Sequence, residues 1–249
     1  MKEEQKILKG EVRSSATIVP ENLRQTYVPQ GFDENDNRHK ALIVVGEPRK
    51  YSLTYDLVNT AMKYLEDNDW AVELRDLYDL NFDPVLHPEE FYYVKDGIGV
   101  VPDELAKEQE LVRQTDVLIF AYPNWHDAPV SIVKGYIEKV FAFGFAYQDG
   151  AHGPVGLLGG KHLYTIMNCG YLGGGRGYVG DGIGQNDELW DQYMRAFKVF
   201  DDDTANFWGM TNAGRFVNDQ HPKNFSPDYQ NKLQTLRDVL KEHLKRDLF

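Results

Sequence analysis

The sequence is poorest in cysteine. One cysteine, Cys169, among 249 residues excludes an intramolecular disulfide, and it has no second thiol with which to build a zinc site. No apolar run approaches the roughly 18 residues of a membrane-spanning helix. The first residues, Met1-Lys2-Glu3-Glu4-Gln5-Lys6, lack the apolar core of a signal peptide. Positive charge is also scarce, with 27 Lys and Arg against 39 Asp and Glu, a formal charge of −12. Residues 1–40 carry seven of each sign, so the whole excess falls on residues 41–249. A body this acidic repels phosphate backbones, and nucleic acid is not an expected partner. An anionic ligand needs locally placed donors. With 42% apolar and 13% aromatic residues the chain can nevertheless bury a substantial core. These features together predict a soluble, cytoplasmic, globular protein.

Residues 1–39 are polar and irregular and read as an N-terminal arm or a mobile terminus, ahead of one domain over residues 40–249. Ala41–Val45 is a continuous β-branched run, as in a strand buried on both faces of a parallel sheet. Helical spacing follows over residues 52–66, a second strand at Ala71–Leu74, and a helix over 103–114. A third strand is expected at Val117–Ala121. The helix after it spans 129–143, with Asp127 as N-cap and Pro129 in its first turn. A fourth strand is expected at His162–Met167, a helix through Leu189–Phe200, and a fifth strand at Thr204–Trp208. The final helix places Tyr229, Leu233, Leu236, Leu240 and Leu244 on one stripe after Ser226-Pro227. Repeated strand–helix units predict a doubly wound α/β sheet, in which ligands bind beyond the carboxyl ends of the strands.

Three loops at those ends carry chemistry. Gly46-Glu47-Pro48-Arg49-Lys50-Tyr51-Ser52-Leu53-Thr54 is neither a Walker loop nor a dinucleotide fingerprint. It offers Arg49, the hydroxyls of Ser52 and Thr54, and helix-start N–H groups to a phosphate, or it is an ordinary turn with a serine cap. Tyr122-Pro123-Asn124-Trp125-His126-Asp127-Ala128-Pro129 is stiff and presents flat side chains, suited to a planar heteroaromatic ligand or to a Trp packed on the core. Asn168-Cys169-Gly170 opens a run of glycines that includes Gly175, Gly177 and Gly180. No apolar helix follows Gly180, so that run reads as a close-approach loop or lid, or as a plain flexible loop.

Elsewhere the reading is plainer. The remaining histidines show no metal-ligand spacing, His87-Pro88 looks like a turn, and Asp201-Asp202-Asp203 like a solvated loop. Cys169 lacks a neighbouring histidine in sequence and is not an expected nucleophile.

The three loops, together with Asp76–Pro84, Ala106-x-Glu108-Gln109, Pro129-x-x-Ile132–Phe141 and Gly144–Tyr147, resemble the flavodoxin-like NAD(P)H:quinone oxidoreductases. This is the DT-diaphorase group with its bacterial relatives. The resemblance covers residues 41 to about 170 and is most specific at Asn81–Pro84 and Lys134–Tyr147. It implies a flavodoxin-like sandwich on a five-stranded parallel sheet of order 2-1-3-4-5. It also implies a noncovalent flavin, FAD or FMN, with NAD(P)H as donor and a quinone or similar aromatic acceptor, turning over by a ping-pong transfer of hydride through flavin N5. By the same resemblance Arg49, Ser52, Leu53 and Thr54 cradle the phosphate, and Pro123, Asn124, Trp125 and His126 flank the ring. Asn168, Cys169 and Gly170 line its pyrimidine edge, and Glu138, at the adenosine end, favours FAD. Family members are homodimers, so Tyr147, with Trp125, belongs to an acceptor pocket at the subunit interface. Tyr178 matches a catalytic tyrosine of the family. Gly184 stands where the family has a histidine, and His126 is the candidate to share that role. A second reading, from the potassium-efflux relatives, is a flavin-bearing regulatory subunit of a membrane transport protein; a third is a flavin-free α/β domain.

Overall fold

A computed structural model describes residues 18–33, 35–169, 187–219 and 228–249. Its strands and helices are β1 (His39–Val45), α1 (Leu53–Asp67), β2 (Trp70–Asp76), α2 (Pro88–Asp96), α3 (Asp103–Gln114), β3 (Val117–Pro123), α4 (Ser131–Val140), β4 (Tyr147–Gly150), β5 (Gly153–Gly156), β6 (His162–Asn168), α5 (Asp187–Trp208), β7 (Thr211–Asn218) and α6 (Tyr229–Leu248). Five strands form the central sheet in the order β2-β1-β3-β6-β7, all parallel. The expected order 2-1-3-4-5 is therefore present.

Period-two alternation sorts the strand residues into two cores. Ala41, Ile43, Val45, Val117, Ile119 and Ala121 face α1 and α6, where they meet Leu57, Met62, Leu236 and Leu240. Leu42, Val44, Leu118, Phe120 and Tyr122 face α3, α4 and α5, against Leu105, Val133, Tyr136 and Trp208. All five residues of the α6 stripe are buried.

The segments Asn81–Pro84 and Lys134–Tyr147 pack on each other. Phe82 lies 5.4 Å from the Tyr136 ring, and the buried Lys139 Nζ donates to the carbonyls of Asp83 and Val85, 3.2 Å each, and pairs with Glu90 at 2.9 Å. A Cβ on Gly135 would lie 2.2 Å from the Pro84 carbonyl oxygen, so only glycine lets α4 approach this loop.

The structure corrects several sequence expectations. Thr204–Trp208 is not the fifth strand but the last turns of α5; Ala205 and Trp208, three apart, are both buried, the spacing of a helix. The fifth strand is β7, which the sequence conceals because an edge strand needs few apolar residues. Asp201–Asp203 lies within α5 rather than a loop: Asp201 is buried against Arg215, and Asp202 pairs with Lys198. His87-Pro88 begins helix α2, with Glu90 accepting from the His87 backbone N–H at 3.0 Å. Helix α4 starts at Ser131 with Val130 at its N-cap, so Asp127 is not the cap. Residues Ser226-Pro227 lie outside the described residues. The described part of the arm, residues 18–33 and 35–38, is laid along α1 and β2. There Gln25 donates to Thr60 Oγ1 at 2.6 Å, Gln30 N–H to Glu66 at 2.7 Å and Gly31 N–H to the Val72 carbonyl at 3.0 Å.

Candidate flavin site at the strand tips

Parallel strands bring the β1, β3 and β6 carboxyl ends to one edge of the sheet. The β1–α1 loop leaves that edge at Gly46, where a Cβ would sit 2.3 Å from a Val133 methyl of α4. Next comes Glu47, fully buried. Its carboxylate accepts from the Arg49 backbone N–H at 3.0 Å, from Nε at 2.8 Å and from Nη2 at 3.0 Å. A chelated carboxylate of this kind fixes both the loop and the guanidinium. Lys50 turns away toward the end of β2, where it pairs with Asp76 and, at 2.6 Å, with Asp79; Tyr55 donates to the same Asp76 at 2.6 Å.

Ser52 is the N-cap of α1, and its side chain accepts from the Tyr55 N–H at 3.4 Å, so this hydroxyl serves the helix. Thr54, the second residue of the helix, differs. Its residue is fully buried and its Oγ1 has no hydrogen-bond partner among the described residues. Buried hydroxyls are nearly always satisfied, and leaving one unmade costs about 1–3 kcal/mol. Beside the N–H groups of a helix's first turn, which no preceding carbonyl satisfies, this is the donor arrangement of an anion cradle.

The β3–α4 loop closes over the first. Trp125, 45% exposed, lies 5.9 Å from the Arg49 guanidinium carbon, a cation–π distance that joins the two loops. Trp125 and Ala128 form an antiparallel bridge around His126 and Asp127, both at φ +57°. A two-residue turn with two left-handed residues is the type I′ geometry, which ordinarily takes Asn-Gly. Holding His and Asp there costs of order 1–3 kcal/mol per residue, and such outliers concentrate at binding sites. The turn presents His126 to solvent. Asn124 donates from Nδ2 to Asp127 at 3.2 Å, while its Oδ1 is buried without a partner among the described residues.

The β6 tip is tied to its neighbours by amides. Asn124 N–H donates to the Asn168 carbonyl at 2.8 Å, Asn218 Nδ2 to Asn168 Oδ1 at 2.7 Å, and Cys169 N–H to the Asn218 carbonyl at 2.7 Å. Arg49, Ser52, Leu53, Thr54, Pro123, Asn124, Trp125, His126, Asn168 and Cys169 thus share one edge. Gly170, Tyr178 and Gly184 lie outside the described residues. Two expected site residues stand elsewhere. Glu138 is two turns down α4, paired with Lys134 at 2.7 Å, and Tyr147 opens β4 after α4 has returned to the opposite end of the sheet. The Tyr147 ring rests 4.4 Å from Phe207, and burial raises its pKa, helped by the charges of Asp149 and Asp96.

Beside the loop, between α4, α5 and the sheet, a cleft of about 510 Å³ is lined by Phe120, Tyr122, Met167, Phe197, Trp208 and Arg215, among others. Arg215 is clasped by Asp201 through Nε at 2.8 Å and Nη2 at 2.6 Å, and donates to the Tyr122 hydroxyl at 3.1 Å. Burial works against its charge, but the Asp201 hydrogen bonds outweigh it and the guanidinium pKa moves up. Burial also raises the Tyr122 pKa, against the pull of Arg215. Sequence reasoning missed Glu47, Asp201 and Arg215. Neither the burial of Glu47 beneath Arg49 nor a pair 14 residues apart has a local signal in the sequence.

With this geometry in view, the comparisons place the chain. Residues 39–243 match the model of a family with a flavodoxin-like fold. A Haemophilus influenzae NAD(P)H oxidoreductase is 32% identical over 130 residues, 52% of this chain and 63% of that one. The guinea-pig (Cavia porcellus) NAD(P)H dehydrogenase [quinone] 1 is 32% identical over 147 residues, 53% of each chain. Among solved structures, an FMN-dependent NADH-azoreductase from Bacillus anthracis in complex with FMN superposes with a TM-score of 0.57 at 16% identity, covering 84% of this chain and 98% of that one. The chain belongs to the family with a flavodoxin-like fold. It spans less than two thirds of the length of the two curated relatives just named.

Proposed function

We propose that this protein is a flavin-dependent NAD(P)H oxidoreductase that reduces quinones or related aromatic acceptors by two electrons. The observation that carries the reading is Thr54: a fully buried hydroxyl without a partner among the described residues, at the start of α1 where a phosphate is held in this fold. A bound flavin would accept hydride from NAD(P)H and pass it to an acceptor that follows in the same slot. The chain's own residues bind and orient. Thr54 and the first-turn amides of α1 hold the phosphate, Arg49 spans phosphate loop and Trp125, and Pro123–His126 form the wall against which a planar ring lies. The strand-tip ladder of Asn124, Asn168 and Asn218 fixes the height of that wall.

Charge favours FAD over FMN. Arg49 is matched by Glu47 and Lys50 by Asp76 and Asp79, so the loop and its partners carry a formal −1. A terminal phosphate monoester carries −1.5 to −2 at neutral pH, whereas each phosphorus of an internal diphosphate carries one negative charge. A phosphate bearing a single charge is repelled less than the monoester by a loop whose formal charge is already −1. We place the acceptor pocket at a homodimer interface, with Tyr147 of one subunit entering the site of the other. His126, held out by its strained turn, assists proton transfer to the acceptor in place of the family histidine.

Steady-state oxidation of NAD(P)H with a simple benzoquinone tests the reading. Rapid turnover supports it. Tight flavin binding with negligible turnover favours a regulatory subunit of a transport protein instead, and a colourless protein that takes up no flavin overturns both. For His126, acceptor reduction that is unchanged by His126→Phe across pH 5–8 removes it from the mechanism.

A further inference from the structure

The family match begins at residue 39, yet the segment before it touches the phosphate loop. Ile18 forms an antiparallel bridge with Ser52, and the Val19 N–H donates to the Tyr51 carbonyl at 2.8 Å. Both arm residues are buried, Val19 within the core on the α1 face of the sheet. Arg24 then folds back. Its Nε donates to the Val19 carbonyl at 2.9 Å, and its guanidinium stacks 3.9 Å over the Tyr51 ring. The next residues continue along α1. Gln25 donates to the Asp56 carbonyl at 2.9 Å, and Asn59 exchanges hydrogen bonds with the Gln25 carbonyl and the Tyr27 N–H at 3.1 Å each. Arg237 of α6 closes the structure by pairing with Asp56 and donating to the Leu23 carbonyl at 2.9 Å.

We infer that residues 18–27 are a brace that holds the β1–α1 loop in its phosphate-receiving shape before any cofactor arrives. This rests on the flavin reading above. The Glu47 chelate, the Lys50 pairs with Asp76 and Asp79 and the Arg49–Trp125 contact hold the middle of the loop, while the arm holds its Tyr51–Ser52 end where the chain enters α1, and ordering on binding is subtracted from affinity. Arm contacts reach Tyr51, Ser52 and Asp56, the residues that bracket Thr54. The arm thus acts on cofactor affinity without touching the cofactor: Val19 and Arg24 are positioning residues.

The test uses the full chain, stripped of flavin and titrated with FAD by fluorescence quenching, with amide exchange of the apo-protein measured beside it. Val19→Pro deletes the single N–H donor and Arg24→Ala the clamp on Tyr51; Val19→Ala keeps the donor. We expect the first two to weaken FAD binding by about fivefold to tenfold, the worth of one hydrogen bond, and the alanine variant at Val19 to stay within about twofold of wild type. Exchange at the Tyr55 and Asp56 amides is expected to quicken by a similar factor in the apo-protein, a change that activity assays do not read. If Val19→Pro does not fold, Arg24→Ala carries the test alone. Unchanged affinity and exchange, in a wild-type chain that does bind FAD, overturn the brace while leaving the flavin reading intact. A wild-type chain that takes up no FAD refutes that reading and, with it, the brace's role in cofactor binding.

Discussion

Replacing Thr54 by Val should move stability and cofactor affinity in opposite directions. The two side chains are nearly isosteric, and both suit the second position of a helix about equally. In the free protein the Thr54 hydroxyl is fully buried and unpartnered among the described residues, and so carries a desolvation cost of about 1–3 kcal/mol. A methyl in its place removes that cost and gains apolar burial. The apo-protein should therefore be stabilised by about 1–2 kcal/mol, which for a domain of this size is roughly 2–8 °C in Tm. In the holoprotein the same substitution deletes a hydrogen bond to a charged phosphate, worth about 1.5–3 kcal/mol, so FAD should bind about tenfold to a hundredfold more weakly. Thermal melting of the apo-protein and fluorescence titration of the two forms read these separately. A Tm that falls by several degrees means the hydroxyl already has a partner. An unchanged FAD affinity means that it never meets a phosphate. Either result refutes the cradle.

Other predictions follow from the packing. Removing one partner of the buried Arg215–Asp201 pair, as in Arg215→Met, should cost about 3–5 kcal/mol in urea unfolding, and adding Asp201→Leu should recover most of it, because the loss is that of a stranded charge. Gly135→Ala should destabilise despite alanine's advantage of about 1 kcal/mol in helices, since its Cβ would meet the Pro84 carbonyl oxygen at 2.2 Å; a rise in Tm would show that the loop yields. His87 and Asp83 form an exposed pair at 2.7 Å; the hydrogen bond to Asp83 raises the histidine pKa above its ordinary 6.5, and that from the Val85 N–H, then His87, lowers Asp83. The His87 contribution is present below pH 6.5 and is lost as pH rises through the raised value. An NMR titration should show a His87 midpoint above 6.5 that returns toward it in Asp83→Asn.

What was legible in the sequence follows from how each element is buried. Ala41–Val45 and Val117–Ala121 lie between two helical layers and must be apolar on both faces, so their patterns are unmistakable. Strand β7 is an edge: only Phe216 and Asn218 of its eight residues are buried, and a register irregularity at β6 Leu163/Tyr164 lies opposite Asn212 and Gly214, so Thr211–Asn218 lacks the apolar run that marks the buried strands. Three consecutive acids suggest a loop, yet a helix rotates about 100° per residue, which turns Asp201 inward to Arg215 and leaves Asp202 to pair with Lys198 on the exposed side. The start of α2 was readable, since a proline at the first position and a glutamate two residues on form a known signature. At the site, the loops and their residue types were visible, because phosphate and ring binding draw on local sequence. The inward fold of Glu47 onto Arg49, the type I′ turn without Asn-Gly, and the grip of residues 18–27 on the phosphate loop depend on tertiary contacts that no local pattern encodes.

The claim that three strand-tip loops form a flavin cradle is met most directly by purifying the protein under native conditions, releasing its bound chromophore with acid and weighing it by mass spectrometry. The account predicts FAD near one equivalent per chain. A chain that carries no flavin, and gains none when incubated with FAD or FMN, contradicts it.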